Sequence, residues 1–219
     1  MFRFRRDGSP RYDRSLLGPI DDVFSRAVKT YGSHPKSVAW RDEERQYRRF
    51  QIFAGLFDLA GRHSEFSVND LGCGYGAMFD AYKDLPEFRS ARYFGYDISD
   101  EMLRQARRSI RDERATFIRS HIATKEADFS LVSGTYNLNM GAKDAPWLDY
   151  VQENIIHLWG KTRLALGFNM LSIHATRRED TLYYADPEEM RAFCEENLDG
   201  TVRMVDRLEP DEMVIFVVR

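Results

Sequence analysis

The chain has 219 residues, 43% hydrophobic and 31% charged, enough for one globular domain with a substantial core and too apolar for a disordered one. A net charge of −3 and a pI near 6.0 argue against a broad electrostatic grip on nucleic acid. Cys73 and Cys194, the two cysteines, make no disulfide framework and no Cys/His metal spacing; no apolar run reaches the roughly 18 residues of a membrane span, and Met1–Arg6 leads into no apolar leader segment, so the expectation is a cytoplasmic protein with no membrane partner and no metal.

Residues 1–36 are rich in Arg, Gly, Ser and Pro, with Tyr12, Leu16, Leu17 and Ile20 scattered through. They read as an N-terminal extension, partly ordered against a domain that fills 37–219. Asp21–Tyr31 can form a short helix with Val23, Phe24, Ala27 and Val28 on one side, and Gly32-Ser33-His34-Pro35 breaks it. The opening F-R-F-R-R either touches an anion or is a mobile tail. Ser37 to about Ala60 reads as one long helix, because Phe50, Phe53, Leu56, Phe57 and Ala60 recur at about 100° per residue. Projected backwards, that stripe runs through Gln46 and Arg49. Two polar groups on a core-facing stripe are costly unless paired. Either the helix start protrudes into water, or both residues face a ligand site.

Val68–Leu71 is the first strand, and it runs into V-N-D-L-G-C-G-Y-G over residues 68–76. Gly72, Gly74 and Gly76 describe a turn in which the backbone can approach a ligand closely, opening a helix from Ala77 to about Leu85 whose N-terminus presents free N–H groups. Cys73 fills a place in that turn where only a small side chain fits. Asp70 discriminates between ligands: a pyrophosphate would be repelled by it, whereas a ligand with a cationic ammonium, such as S-adenosylmethionine (SAM), would be attracted. The dinucleotide fingerprint also differs in spacing, with G-x-G-x-x-G and an acid about 20 residues on. Tyr93–Tyr96 is the second strand and ends in Tyr96-Asp97-Ile98-Ser99. Together these segments resemble motif I and the second-strand acid of the class I SAM-dependent methyltransferases.

Later elements follow the same alternation. Ser99 caps a helix with Asp100 and Glu101 in its first turn and Met102, Ala106 and Ile110 on its buried face. Ala115–Ile118 and Asp128–Val132 are strands three and four, Trp147–Trp159 is a helix, and Arg163–Asn169 is strand five. Asp186-Pro187-Glu188-Glu189 starts a helix that Gly200 ends. Val202–Val205 and Met213–Val218 form a final hairpin around Glu209-Pro210-Asp211. Strands alternating with helices imply a parallel sheet. The expected fold is α/β: a doubly wound, Rossmann-like sheet of seven strands, mostly parallel with one antiparallel C-terminal strand, and helices on both faces.

The resemblance carries site residues with it. Asp97, with Ile98 beside it, is the position that grips the ribose hydroxyls. His121 stands where the family usually has an acid for the adenine amino group; a neutral imidazole could accept that bond while the Ile122 backbone reads the ring edge, or His121 is a plain loop residue. After strand four, Gly134 permits close approach, and Tyr136 and Asn137 could bond cofactor or substrate; Tyr136 could equally pack beneath the Trp147 helix. The prolines of the amino DNA methyltransferase motif are absent here. Trp40, Gln46-x-x-Arg49-Phe50, S-G-x-x-N, Phe168-Asn169 and Tyr183-Tyr184-Ala185-Asp186-Pro187 resemble one bacterial subgroup, which implies that Arg49 helps hold the methionine carboxylate and that Asn169 and Tyr183 stand near substrate. The charged loop Ala175–Tyr184, with Arg177 and Arg178, is a lid or a solvated loop.

The reaction expected is in-line methyl transfer from SAM to a small-molecule oxygen or nitrogen nucleophile, leaving S-adenosylhomocysteine (SAH), with alignment and water exclusion as the main catalytic devices. His174, then Tyr184, are the candidates to take a proton. The protein would be a monomer or homodimer. Two alternatives remain open: an RNA or protein methyltransferase using Arg3, Arg5, Arg6, Arg11, Arg41, Arg45 and Arg48, and an inactive SAM-binding regulatory module.

Overall fold

The computed structural model describes residues 10–32, 43–60, 65–205, 208 and 210–219. Arg3, Arg5, Arg6, Trp40, Arg41, Glu209 and the predicted helix start at Ser37 lie outside the described residues.

The first helix, α1 (Arg14–Tyr31), starts two turns earlier than Asp21 because Asp13 caps it, its side chain accepting from the Ser15 N–H at 2.8 Å. Pro19 sits within it, and Leu17, Ile20 and Val28 are buried. The helix α2 (Glu43–Ala54) does not run on to Ala60: at Gly55 it tightens into a 3₁₀ segment, Gly55–Ala60. Glycine is a poor helix former, and the tighter winding still buries Leu56 and Phe57. The Phe57 ring meets Phe66, Tyr82, Phe88 and Phe129 at centroid distances of 5.1 to 5.5 Å, so the predicted apolar stripe does close one side of the core.

The sheet comprises β1 (Ser67–Leu71), β2 (Arg92–Asp97), β3 (Ala115–Arg119), β4 (Ala127–Val132), β5 (Thr162–Ser172), β6 (Tyr184–Ala185), β7 (Thr201–Val205) and β8 (Glu212–Val218). Its order is β3-β2-β1-β4-β5-β8-β7, with β6 paired to β5. Strands β1 to β5 are parallel, and β8 runs antiparallel to both β5 and β7. Among the described residues there are eight strands rather than seven. The extra one exists because β5 overruns Asn169 to Ser172, past the end of β4, and the exposed edge of Leu171 and Ser172 takes up Tyr184 and Ala185. Helices α3 (Ala77–Tyr82), α4 (Asp100–Ser109), α5 (Asp144–Trp159) and α6 (Pro187–Asn197) complete the layers. Among the described residues no helix is long and apolar enough to cross a membrane. The strand order reverses between β1 and β4, and in such sheets ligands bind at the carboxyl ends beside that switch.

Candidate active site

Leu71 ends β1, and the chain turns through Gly72, Gly74 and Gly76 with φ of +80°, +55° and +88°. The Gly72 and Cys73 N–H groups donate to the Tyr96 carbonyl at 2.8 and 2.9 Å, which ties the turn to the end of β2. Thr135, from the loop after β4, donates its hydroxyl to the Leu71 carbonyl at 2.8 Å. Its Oγ1 lies 2.0 Å from where a Cβ on Gly72 would sit. Any side chain at 72 would therefore clash as well as strain the backbone.

Two carboxylates flank this turn. Asp97 accepts from the Gly74 N–H at 2.9 Å and the Ser99 N–H at 2.8 Å. Burial raises its carboxyl to about 6, against the pull of those backbone donors. Asp70 is buried at the end of β1 and accepts from the Tyr93 hydroxyl. Burial raises it to about 7, the Tyr93 bond opposing and the Asp97 charge adding. Two desolvated acids beside a glycine cradle fit a ligand that carries both a cation and a diol.

One cavity gathers these groups: Asp70 to Tyr75, Asp97 and Ile98, Ser120 and His121, and Ser133 to Thr135. Its remaining wall is mostly apolar, from Leu17, Ile20 and Phe24 of α1, Gln46 and Phe50 of α2, and Trp147 and Tyr150 of α5. Of the residues expected at a site, Gln46, Asp70, Gly72, Cys73, Gly74, Asp97, Ile98, His121 and Gly134 are on this wall. His121 is there with its Nε2 3.2 Å from the Pro10 carbonyl and its ring edge-on to Tyr12 at 5.3 Å, so the N-terminal segment reaches this end of the cavity.

The others are placed elsewhere. Arg49 does not face the cavity; it is fully buried and bonded to Glu212. The Ile122 N–H is already held by Ser120 Oγ at 3.1 Å. Tyr136 packs beneath α5, its carbonyl accepting from Trp147 Nε1 at 2.9 Å. Asn137 braces the strands, accepting from the Leu171 N–H at 2.9 Å and, through its carbonyl, from the Tyr183 N–H at 2.8 Å. Asn169 is buried and accepts from the Gly134 N–H. Tyr183 is buried behind this wall, and burial pushes its phenol up to about 12. His174 is exposed beyond the overrun of β5. Tyr184 accepts from the Glu179 N–H at 2.9 Å and lies under the Arg178 guanidinium, closing the 175–184 loop on itself.

Sequence reasoning missed the α1 wall and Glu212. Leu17, Ile20 and Phe24 do carry helical i, i+3, i+7 spacing, but Gly18-Pro19 between them reads as a loop. Nothing local marks Glu212.

Residues 68–155 match a family model described as a methyltransferase domain. Over 157 residues the chain is 35% identical to the Mycobacterium tuberculosis protein named "Putative methyltransferase Rv1506c", covering 69% of this chain and 92% of that one. In fold it is similar to magnesium protoporphyrin IX methyltransferase (ChlM) from Synechocystis PCC 6803 with bound SAM, with a TM-score of 0.63, 15% identity, and 95% and 98% of the two chains covered. It is likewise similar to the plantazolicin methyltransferase BpumL in complex with SAH, with a TM-score of 0.60, 15% identity, and 93% and 97% covered. The sheet order, the glycine turn and these matches define a methyltransferase with a Rossmann-like fold. The chain belongs to the class I SAM-dependent methyltransferases, with SAM as cofactor and SAH as product.

Proposed function

We propose that this enzyme methylates an oxygen or nitrogen nucleophile on a small molecule with an extended apolar face. The observation that carries this reading is the continuity of the cavity. It runs from the glycine turn directly into the wall made by Leu17, Ile20, Phe24, Phe50, Trp147 and Tyr150. Apolar walls with a few placed polar groups are how small-molecule sites obtain both affinity and orientation. The fold neighbours named for magnesium protoporphyrin IX and plantazolicin support the same class of acceptor.

In this reading Asp97 holds the ribose hydroxyls, with Ile98 and His121 beside the adenine. Gly72, Cys73 and Gly74 admit the backbone to close contact, Gly134 faces the methionine half, and Asp70 balances its ammonium. Gln46 offers an amide on the α2 side. SAM supplies an activated methyl on a sulfonium. The protein holds donor and acceptor in line and excludes water with the α1 and α5 side chains, which is where proximity catalysis derives its rate. Tyr150 stays neutral because burial raises its phenol, so it orients an acceptor and takes no proton from it. Residues 37–219 would form the catalytic domain, with α1 of the N-terminal extension completing its wall.

Calorimetric titration with SAM and SAH tests this reading. Wild type should bind both, and Asp97→Ala should weaken binding at least tenfold, since two charge-assisted backbone bonds and the ribose contact go together. Incubation with labelled SAM and metabolite pools should then put label into organic-extractable products. A folded wild type that binds neither ligand would overturn the reading.

A further inference from the structure

Glu212 opens β8 and is not on the cavity wall, yet it connects to it. Its carboxylate accepts from Arg49 Nη1 through both oxygens, at 2.9 and 2.8 Å. It also accepts from Asn169 Nδ2 at 2.9 Å. Asn169 Oδ1 in turn accepts from the Gly134 N–H at 2.8 Å. Arg49, Glu212 and Asn169 are respectively 0%, 2% and 0% exposed. The chain of bonds runs from α2, through β8 and β5, into the loop after β4.

The donors and acceptors allow only one arrangement. A carboxylate accepts and cannot donate, and a backbone N–H donates and cannot accept. The Asn169 amide must therefore point its nitrogen at Glu212 and its oxygen at Gly134. Gly134 lies on the cavity wall with φ of +75°. Its neighbour Thr135 occupies the space beside Gly72, with Oγ1 2.0 Å from where a Cβ would be. A shift of this loop is felt at once by the glycine turn. A buried ion pair is weak evidence for stability, because well-packed apolar side chains often do as well; its best-attested use is to specify one geometry.

We propose that Glu212 is a positioning residue: anchored by Arg49, it orients Asn169, which fixes Gly134 against the methionine half of the cofactor. This rests on the placement of that half at Gly72 and Gly134. The role assigned to Arg49 is thereby indirect, through a carboxylate rather than on the ligand.

Two variants test it, each measured by calorimetry with SAH and with adenosine, which lacks the methionine half. Asn169→Ala removes the last bond to Gly134. Arg49→Met/Glu212→Met removes both charges together, so that no stranded ion unfolds the protein. Both variants should bind SAH at least tenfold more weakly and adenosine within twofold of wild type. SAH affinity within twofold of wild type in both variants would overturn the proposal and leave the cofactor reading intact. Equal losses for SAH and adenosine, or failure of both variants to fold, would make the cluster merely structural and overturn it too. A wild type that binds neither ligand would overturn both readings.

Discussion

On the proposed reading, the charge state of Asp70 on the cavity wall governs cofactor binding. Its carboxyl, raised to about 7 by burial, is largely protonated in the empty protein at pH 6. A cationic ligand group prefers the carboxylate, so binding must drive the proton off. SAM affinity should therefore rise with pH up to about 7 and flatten above it. Binding at pH 6 should release a proton, measurable as a dependence of the calorimetric heat on the buffer's ionisation enthalpy. Asp70→Asn should bind weakly at pH 8 and keep only the shallower pH dependence that Asp97, raised to about 6, contributes. Stability of the empty protein carries the same linkage. Between about pH 4 and 7 the folded state keeps a proton that the unfolded state has released, so stability falls as pH rises through that window. Asp97, raised to about 6, adds in the same direction up to its own value. Melting temperatures of Asp70→Asn should fall less across that range than those of wild type.

Glycines separate the elements that local sequence specifies from those it does not. The turn at Gly72 was legible because three glycines behind a strand leave the chain few alternatives. Gly72→Ala should cost about 1–2 kcal/mol for the left-handed backbone alone, and more from the collision with Thr135; urea denaturation measures it, and SAH affinity should fall with it. Gly55 is the converse. It interrupts a stripe that reads as one continuous helix, it is exposed, and a Cβ there would meet nothing within 4 Å. Gly55→Ala should stabilise the protein by about 0.4–1 kcal/mol by restricting the unfolded chain, read as a higher urea midpoint with unchanged slope. Strand β5 shows why ends are hard to read. Met170, Leu171 and Ser172 extend it because β8 and β6 offer partners there, and neither partner is near in sequence.

At the scale of the molecule, α1 forms one wall of the cavity through Leu17, Ile20 and Phe24. It docks on α4 through the Ser25 and Ser99 hydroxyls, 2.8 Å apart, and Lys29 beside Glu101 at 3.1 Å. An exposed ion pair of this kind contributes little, so the burial of Leu17, Ile20 and Val28 must hold the helix down. A ligand in the cavity touches that same helix. Saturating SAH should therefore slow tryptic cleavage after Arg14, Arg26 and Lys29 several-fold, while cleavage rates at sites on the far edge of the sheet stay unchanged.

By itself, the sequence determined the cofactor class, the parallel sheet with its one reversed strand, and the glycine turn with Asp97 beside it. Those features are local: a strand, a turn and a helix start are specified by residues a few positions apart. Only the tertiary structure decided that Arg49 meets Glu212, 163 residues away. It also decided that Asn169 braces Gly134 from behind, that His174 and Tyr184 stand off the cavity, and that α1 closes it. A buried charge takes its partner from whatever the fold brings beside it, and no local pattern encodes that neighbour.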